Sequence, residues 1–206
     1  MAAAPIAREG GTSHDVPAGL KLPSATEQAP IWSKPLTEGS PAPAFWLLGA
    51  HGGAGVSTLA RTWAPAADAQ RGWPAADRYP HVVIVARTHR AGLGAAHVLL
   101  RQAAGGLTGA ATLLGLVTIA DADGILPATL RRQRDLVEEL APQAWRIPYL
   151  EIYRRLSVDQ MPRWSPRDQP PDRKRFSRTD PDTVHPDLAE VGAAIFHAAR
   201  TATTNR

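Results

Sequence analysis

Between positions 45 and 60 an apolar run, Phe45-Trp46-Leu47-Leu48, breaks into Gly49-Ala50-His51-Gly52-Gly53-Ala54-Gly55 and restarts as Val56-Ser57-Thr58-Leu59-Ala60. Three glycines in four positions (Gly52, Gly53 and Gly55) let backbone N–H groups converge on a single point. A helix beginning near Val56 turns its positive dipole end toward the same point. The chemistry that suits such a loop is phosphate binding, through backbone amides, the Ser57 hydroxyl and the His51 ring. The alternative is a glycine-rich strand-to-helix turn kept for packing.

The charge that normally accompanies such a cradle is missing. In the pattern G-x-x-x-x-G-K-[ST], Ala50 stands where the first glycine belongs and Val56 where the phosphate-reaching lysine belongs. A charge-assisted contact of that kind contributes about 1.5 to 3 kcal/mol, or roughly ten- to hundredfold in affinity. Binding survives such a loss better than phosphoryl transfer does, because the transfer needs cationic stabilisation of the shared charge. Neither Val56 nor a neutral His51 supplies it. An arginine from elsewhere, such as Arg87 or Arg90, is a substitute in principle. Downstream, Asp121 and Asp123 close an apolar run just before Gly124. They suit either a magnesium ion held through water or a strand-to-helix turn. Thr88 and His89 fall at the corresponding end of the preceding run. No H-x-x-x-H pair, no G-x-S-x-G elbow and no cysteine occur, which removes the zinc-hydrolase, serine-hydrolase and disulfide readings.

The elements that must position these residues read as alternating strands and helices. Residues 44–48 form a buried strand, followed by the glycine loop and a helix from about Val56 to Ala69 that Pro65 kinks or ends early. His81-Val82-Val83-Ile84-Val85-Ala86 is a β-branched run of the kind a central parallel strand requires. Residues 87–92 form a turn, and a helix then runs to about Ala104, where Gly105-Gly106 stops it. Residues 113–120 are a third strand, and a helix from about Pro127 to Leu140 follows, with proline in its first turn. Residues 145–150 are a last, proline-bearing strand near an edge. This is an α/β chain with a small parallel sheet, flanking helices and right-handed crossovers, and ligands in such folds bind at the carboxyl ends of the strands.

At this point the loop resembles the deviant Walker A loop of the MinD/ParA class of P-loop ATPases, K-G-G-x-G-K-[ST]-T. It aligns as His51-Gly52-Gly53-Ala54-Gly55-Val56-Ser57-Thr58. The resemblance covers roughly residues 44 to 156 and extends to an uncharacterised group of actinobacterial P-loop-like proteins. It implies a reduced P-loop NTPase-like fold, in which all eight of these residues surround a nucleotide's phosphates. The cofactor it implies is ATP or another nucleotide with Mg2+, or none, with Ser57 and Asp121 as metal ligands. His51 stands where the class has the lysine that reaches a dimer partner's nucleotide, so a homodimer belongs to the same implication. In the class, the region of Trp145, Pro148, Tyr149 and Tyr153 lies near the nucleotide base.

Outside the domain, residues 1–43 carry seven prolines and no sustained period, and read as a disordered tail whose one apolar knot is Ile31-Trp32. Residues 157–186 read as a disordered linker containing Arg173-Lys174-Arg175-Phe176, and residues 187–202 as an amphipathic helix. Of 206 residues, 23 are basic and 19 acidic, a net charge of +4 too dispersed for a nucleic-acid site. No membrane span or leader is apparent and cysteine is absent, so a cytoplasmic protein with a protein partner is expected. Three functions remain open: a regulatory or scaffold protein with a degenerate loop, an ATPase completed by an arginine or a partner, and an interaction module whose loop is vestigial.

Overall fold

The strand with the most completely buried sequence sets the plan. In a computed structural model, which describes residue 19 and residues 21–36, 42–75, 79–169 and 182–204, every residue of β1 (Phe45–Gly49) is buried. So is all of β3 (His81–Arg87) except its last residue. Two such strands require cover on both faces of the sheet. Phe45 and Leu47 of β1 point to one face, with Val83 and Val85, and Trp46 and Leu48 to the other, with Val82 and Ile84.

The sheet has five parallel strands in the order β2-β1-β3-β4-β5. The added members are β2 (Ala66–Asp68), β4 (Thr112–Ile119) and β5 (Ala144–Ile147). The α/β class with a parallel sheet and flanking helices is therefore as the sequence predicts, with one strand more. The helix expected to reach Ala69 stops short: α1 is Val56–Thr62, and Trp63 is already extended. The six residues after it, with Pro65 among them, enter β2 on the edge of β1. The helices α2 (Arg90–Ala104) and α3 (Ala128–Glu138) bring Leu99, Leu100 and Val137 to one face. The expected turn at 87–92 is shorter than read, because His89 caps α2 by accepting the Gly92 N–H on Nδ1 at 3.0 Å. Beyond β5, Ile147-Pro148 ends the sheet, and a four-residue helix, α4 (Ile152–Arg155), follows.

The other face is too wide for the seven residues of α1. It is closed by the C-terminal helix α5 (Pro186–Thr204), whose Leu188, Ala189, Ile195 and Ala199 join the cluster of Phe45, Leu59 and Trp63. Trp63 locks the contact by donating its Nε1–H to the Leu188 carbonyl at 2.9 Å. The segment expected as a disordered linker contributes as well. Its residues 157–169 carry a 3-10 turn (Val158–Gln160) and a buried Trp164. The Trp164 main chain bridges to Thr62 and Ala64 at 2.7 and 2.9 Å. Residues 170–181 of that expected linker lie outside the described residues.

Residues 21–36, expected within the N-terminal tail, instead lie against the opposite face. Gln102 clamps Ala29 through both main-chain groups at 2.9 Å. Trp73 accepts the Trp32 N–H at 2.9 Å and donates its own to Pro30 O at 2.8 Å, a strand-like bridge around Ile31, and Trp32 donates its indole N–H to Ala69 O at 2.8 Å. The apolar knot thus docks on its own domain. Residues 1–18, 20 and 37–41 of the expected tail are outside the described residues.

Close approach at Gly192 makes the seating of α5 testable. A Cβ there would lie 2.7 Å from the Trp63 indole nitrogen and 3.0 Å from the Trp164 ring, both side chains being buried. Gly192→Leu should destabilise the protein by about 1–3 kcal/mol or more in urea denaturation. Gly94→Ala, in α2 with open space around its Cβ, should stabilise it by up to about 1 kcal/mol. Equal midpoints for the two variants would mean that α5 is not seated on Trp63.

Candidate functional site

The strand order places β1 between β2 and β3, with chain connections leaving in opposite directions, so the loops after β1 and β3 part and leave a crevice at the carboxyl end of the sheet. The glycine loop sits there. Gly53 and Gly55 have φ of 77° and 103°, the left-handed region that favours glycine. At Gly55 a side chain would also meet the Ile119 methyl at 3.0 Å. Among the described residues the N–H groups of Gly52, Gly53, Gly55 and Val56 find no main-chain acceptor. A run of unpaired amides of this kind is a place for an anion.

His51, the first residue of the expected binding set, is turned inward. Its Nε2 accepts the Arg87 N–H at 3.1 Å and its Nδ1 lies 2.8 Å from Gly52 O. One neutral tautomer, with the proton on Nδ1, satisfies both contacts. The ring fits because α2 carries Gly92 beneath it, where a Cβ would lie 2.7 Å from Nε2. It meets His89 edge-on at 4.8 Å between centroids.

Arg87 completes the clamp. Its Nε donates to Gly53 O at 3.1 Å and its Nη1 to Ala120 O at 3.4 Å, so one guanidinium joins the loops after β1 and β4. Arg90, the other candidate cation, is exposed at the start of α2 and makes no side-chain hydrogen bond with the loop. Val56 is buried against Gly49, so the position of the missing lysine faces the core.

The other expected site residues are separated. Ala54 is buried and Ser57 is exposed. Thr58 and Gly55 line a cleft of only about 50 Å3, closed by Arg87, Tyr149 and Tyr153. That is far below the roughly 300 Å3 at which ligand pockets begin; Tyr149 also borders a separate cavity of about 760 Å3, with Asp123, Gly124 and Glu151. Burial pushes the Tyr153 phenol up, and its hydroxyl accepts the His185 N–H. Trp145, from the same expected cluster, is a core residue.

The large cavity, about 890 Å3, lies instead beyond the ends of β3, β4 and β5, between α3 and α5. Thr88, His89, Asp121 and Asp123 open onto it, as does the exposed Ile125. Asp121 donates its N–H to the Thr88 hydroxyl at 3.2 Å, and Asp123 accepts the Gly124 N–H at 2.9 Å, a turn contact. Asp121 lines the large cavity, and Ser57 lines neither it nor the cleft beside Thr58. No group of three metal-ligating side chains occurs among the described residues. Along the cavity wall, Arg146 is held in its charged form by hydrogen bonds to Glu138, which push its pKa up. Glu138 in turn accepts from the Thr118 hydroxyl at 2.8 Å.

One residue at the crevice escaped sequence reasoning. Arg71, in the turn after β2, places Nη1 3.5 Å from where a Gly52 Cβ would stand. Gln70 and Arg71 have φ of 51° and 62°, consecutive non-glycine residues in the left-handed region, a conformation that costs about 1 kcal/mol or more apiece. The signal was hidden because β2 was hidden: without that strand, nothing brings position 71 to position 52.

The chain belongs to DUF6668, a family of unknown function, whose model matches residues 43–165. The matched stretch holds the glycine loop, all five strands and Trp164, and stops before α5. No curated protein and no solved structure matches the chain. No helix among the described residues is long and apolar enough to cross a membrane.

Arg87→Met removes the clamp while keeping the stem of the side chain. Exchange of the Ala54 N–H, which bonds to His51 O at 3.3 Å, should then accelerate, with global stability falling by about 1.5 kcal/mol or less. Unchanged exchange would mean that the loop holds its shape without the guanidinium.

Proposed function

We propose that this chain is a degenerate phosphate-loop domain of MinD/ParA type that binds a nucleotide's phosphates weakly, does not turn them over, and works as a regulatory or scaffold protein through a protein partner. The observation that carries the reading is the glycine loop itself. Its amides lack acceptors at the crevice of the sheet, while its lysine position is the buried Val56. Weak binding follows from donors without a central charge. The absence of turnover follows from the lysine position facing the core, which leaves no cation at the start of the helix for the transferring phosphoryl group. One feature supports a role through association: the apolar mouth of the large cavity, where Ile125 is 91% exposed. A cytoplasmic location accords with the absence of cysteine.

Calorimetric titration with ATP, ADP and GTP in the presence of Mg2+ tests this reading, beside a phosphate-release assay and a Gly53→Glu variant that fills and charges the loop. Saturable, weak binding that Gly53→Glu abolishes, with no phosphate release, is the expected result. Magnesium-dependent turnover that Ser57→Ala removes would replace this reading with that of a competent ATPase. Binding unaffected by Gly53→Glu would place the nucleotide elsewhere.

A further inference from the structure

We infer that Arg71 supplies the positive charge at this loop, making Gly52, Gly53 and Arg71 a subsite for a linear polyphosphate: pyrophosphate, tripolyphosphate or the phosphate tail of a nucleotide. The inference rests on the reading of the loop as a phosphate binder and adds to it a residue that no lysine motif contains.

Three observations converge. The first is position. Arg71 Nη1 lies 3.5 Å from the Cβ site of Gly52, which puts the guanidinium at the rim of the glycine loop. The second is availability. Arg87 spends Nε on Gly53 O and Nη1 on Ala120 O, whereas the Arg71 guanidinium makes no hydrogen bond or ion pair among the described residues. An exposed, uncommitted guanidinium beside unpaired amides matches the planar, multi-oxygen edge of a phosphate.

The third observation is construction. The turn that carries Arg71 is braced at both ends. Asp68 Oδ1 accepts the Gln70 N–H at 2.7 Å, and the Trp32 indole donates to Ala69 O at 2.8 Å. Gly72 lies so close to the Trp32 ring that a Cβ would stand 2.7 Å from it. Pro30 and Trp73 then fix the far end through the Trp73 N–H at 2.8 Å. A left-handed pair of residues at 70 and 71 is thus held in place by the N-terminal segment, and its outcome is an arginine aimed over the glycine loop. The cation reaches the loop from the end of a neighbouring strand instead of from the helix that follows the loop.

The test uses the full chain and calorimetric titration with sodium pyrophosphate, tripolyphosphate and ATP at fixed ionic strength. Arg71→Gln removes the charge, Arg71→Lys keeps it, and Arg131→Gln removes an exposed arginine of α3 as a control for net charge. Thermal melting confirms that each variant is folded. The expected result is that Arg71→Gln weakens tripolyphosphate and ATP by the same factor, at least about tenfold. Arg71→Lys should retain most of the affinity, and Arg131→Gln should match the parent. Equal affinity for Arg71→Gln and the parent would overturn the role of Arg71 and leave the loop reading intact. ATP binding without tripolyphosphate binding would overturn the polyphosphate subsite. Absence of binding by the parent to all three would overturn both this inference and the loop reading.

Discussion

Burial of β1 and β3 on both faces is the constraint from which the rest follows. A strand with no solvent face cannot stop at one layer of cover, and α1, seven residues long, covers little. The shortfall is made up from outside the sheet. Helix α5 arrives from the C-terminal end with Leu188 and Ile195, and Trp164 arrives from the segment before it. Trp73, drawn in by residues 30–32, closes the other face. The parts of the chain that look dispensable by composition are the ones that complete the core.

The same constraint explains what could be read from the sequence. The strands β1, β3 and β4 are continuous apolar runs, and α2 and α3 carry the helical spacing that goes with one buried face. Each announces itself because its hydrophobic pattern is a direct copy of its burial. Strand β2 does not. Ala66-Ala67-Asp68 is short, half-exposed and poor in β-branched residues, and it exists because β1 offers an unpaired edge rather than because its own sequence demands a strand. The docking of residues 21–36 is hidden for a related reason. It depends on single groups, the Gln102 amide on Ala29 and the Trp32 indole on Ala69, and a pair of specific hydrogen bonds leaves no period in a sequence.

Legibility at the site divides in the same way. The glycine loop and its place after β1 were readable, since glycine at positions of positive φ is a local requirement. The inward turn of His51 was not, because its partners, the Arg87 N–H and the bare face of Gly92, belong to other elements. Nor was the placing of Asp121 on the large cavity, which is a property of strand order. In this sheet β4 stands two places from β1 with β3 between them, so Asp121, after β4, lines that cavity and Ser57, after the loop, does not. The sequence distance between two residues carries no such information.

The clamp of His51 and Arg87 also bears on how the loop exists without a ligand. A lysine at the start of the helix would be a point charge looking for an anion, and the empty loop would hold it at a cost in desolvation. Here the buried residue at that position is Val56, which has no such need. Gly53 O is instead satisfied by the Arg87 side chain and His51 Nε2 by the Arg87 main chain, while His51 Nδ1 pairs with Gly52 O. Such a loop is shaped before anything binds, and whatever binds meets a fixed set of donors rather than one that closes around it. A preformed cradle spares the cost of ordering on binding, so on the proposed phosphate-loop reading it is the lost lysine charge, and not the shape of the loop, that limits affinity.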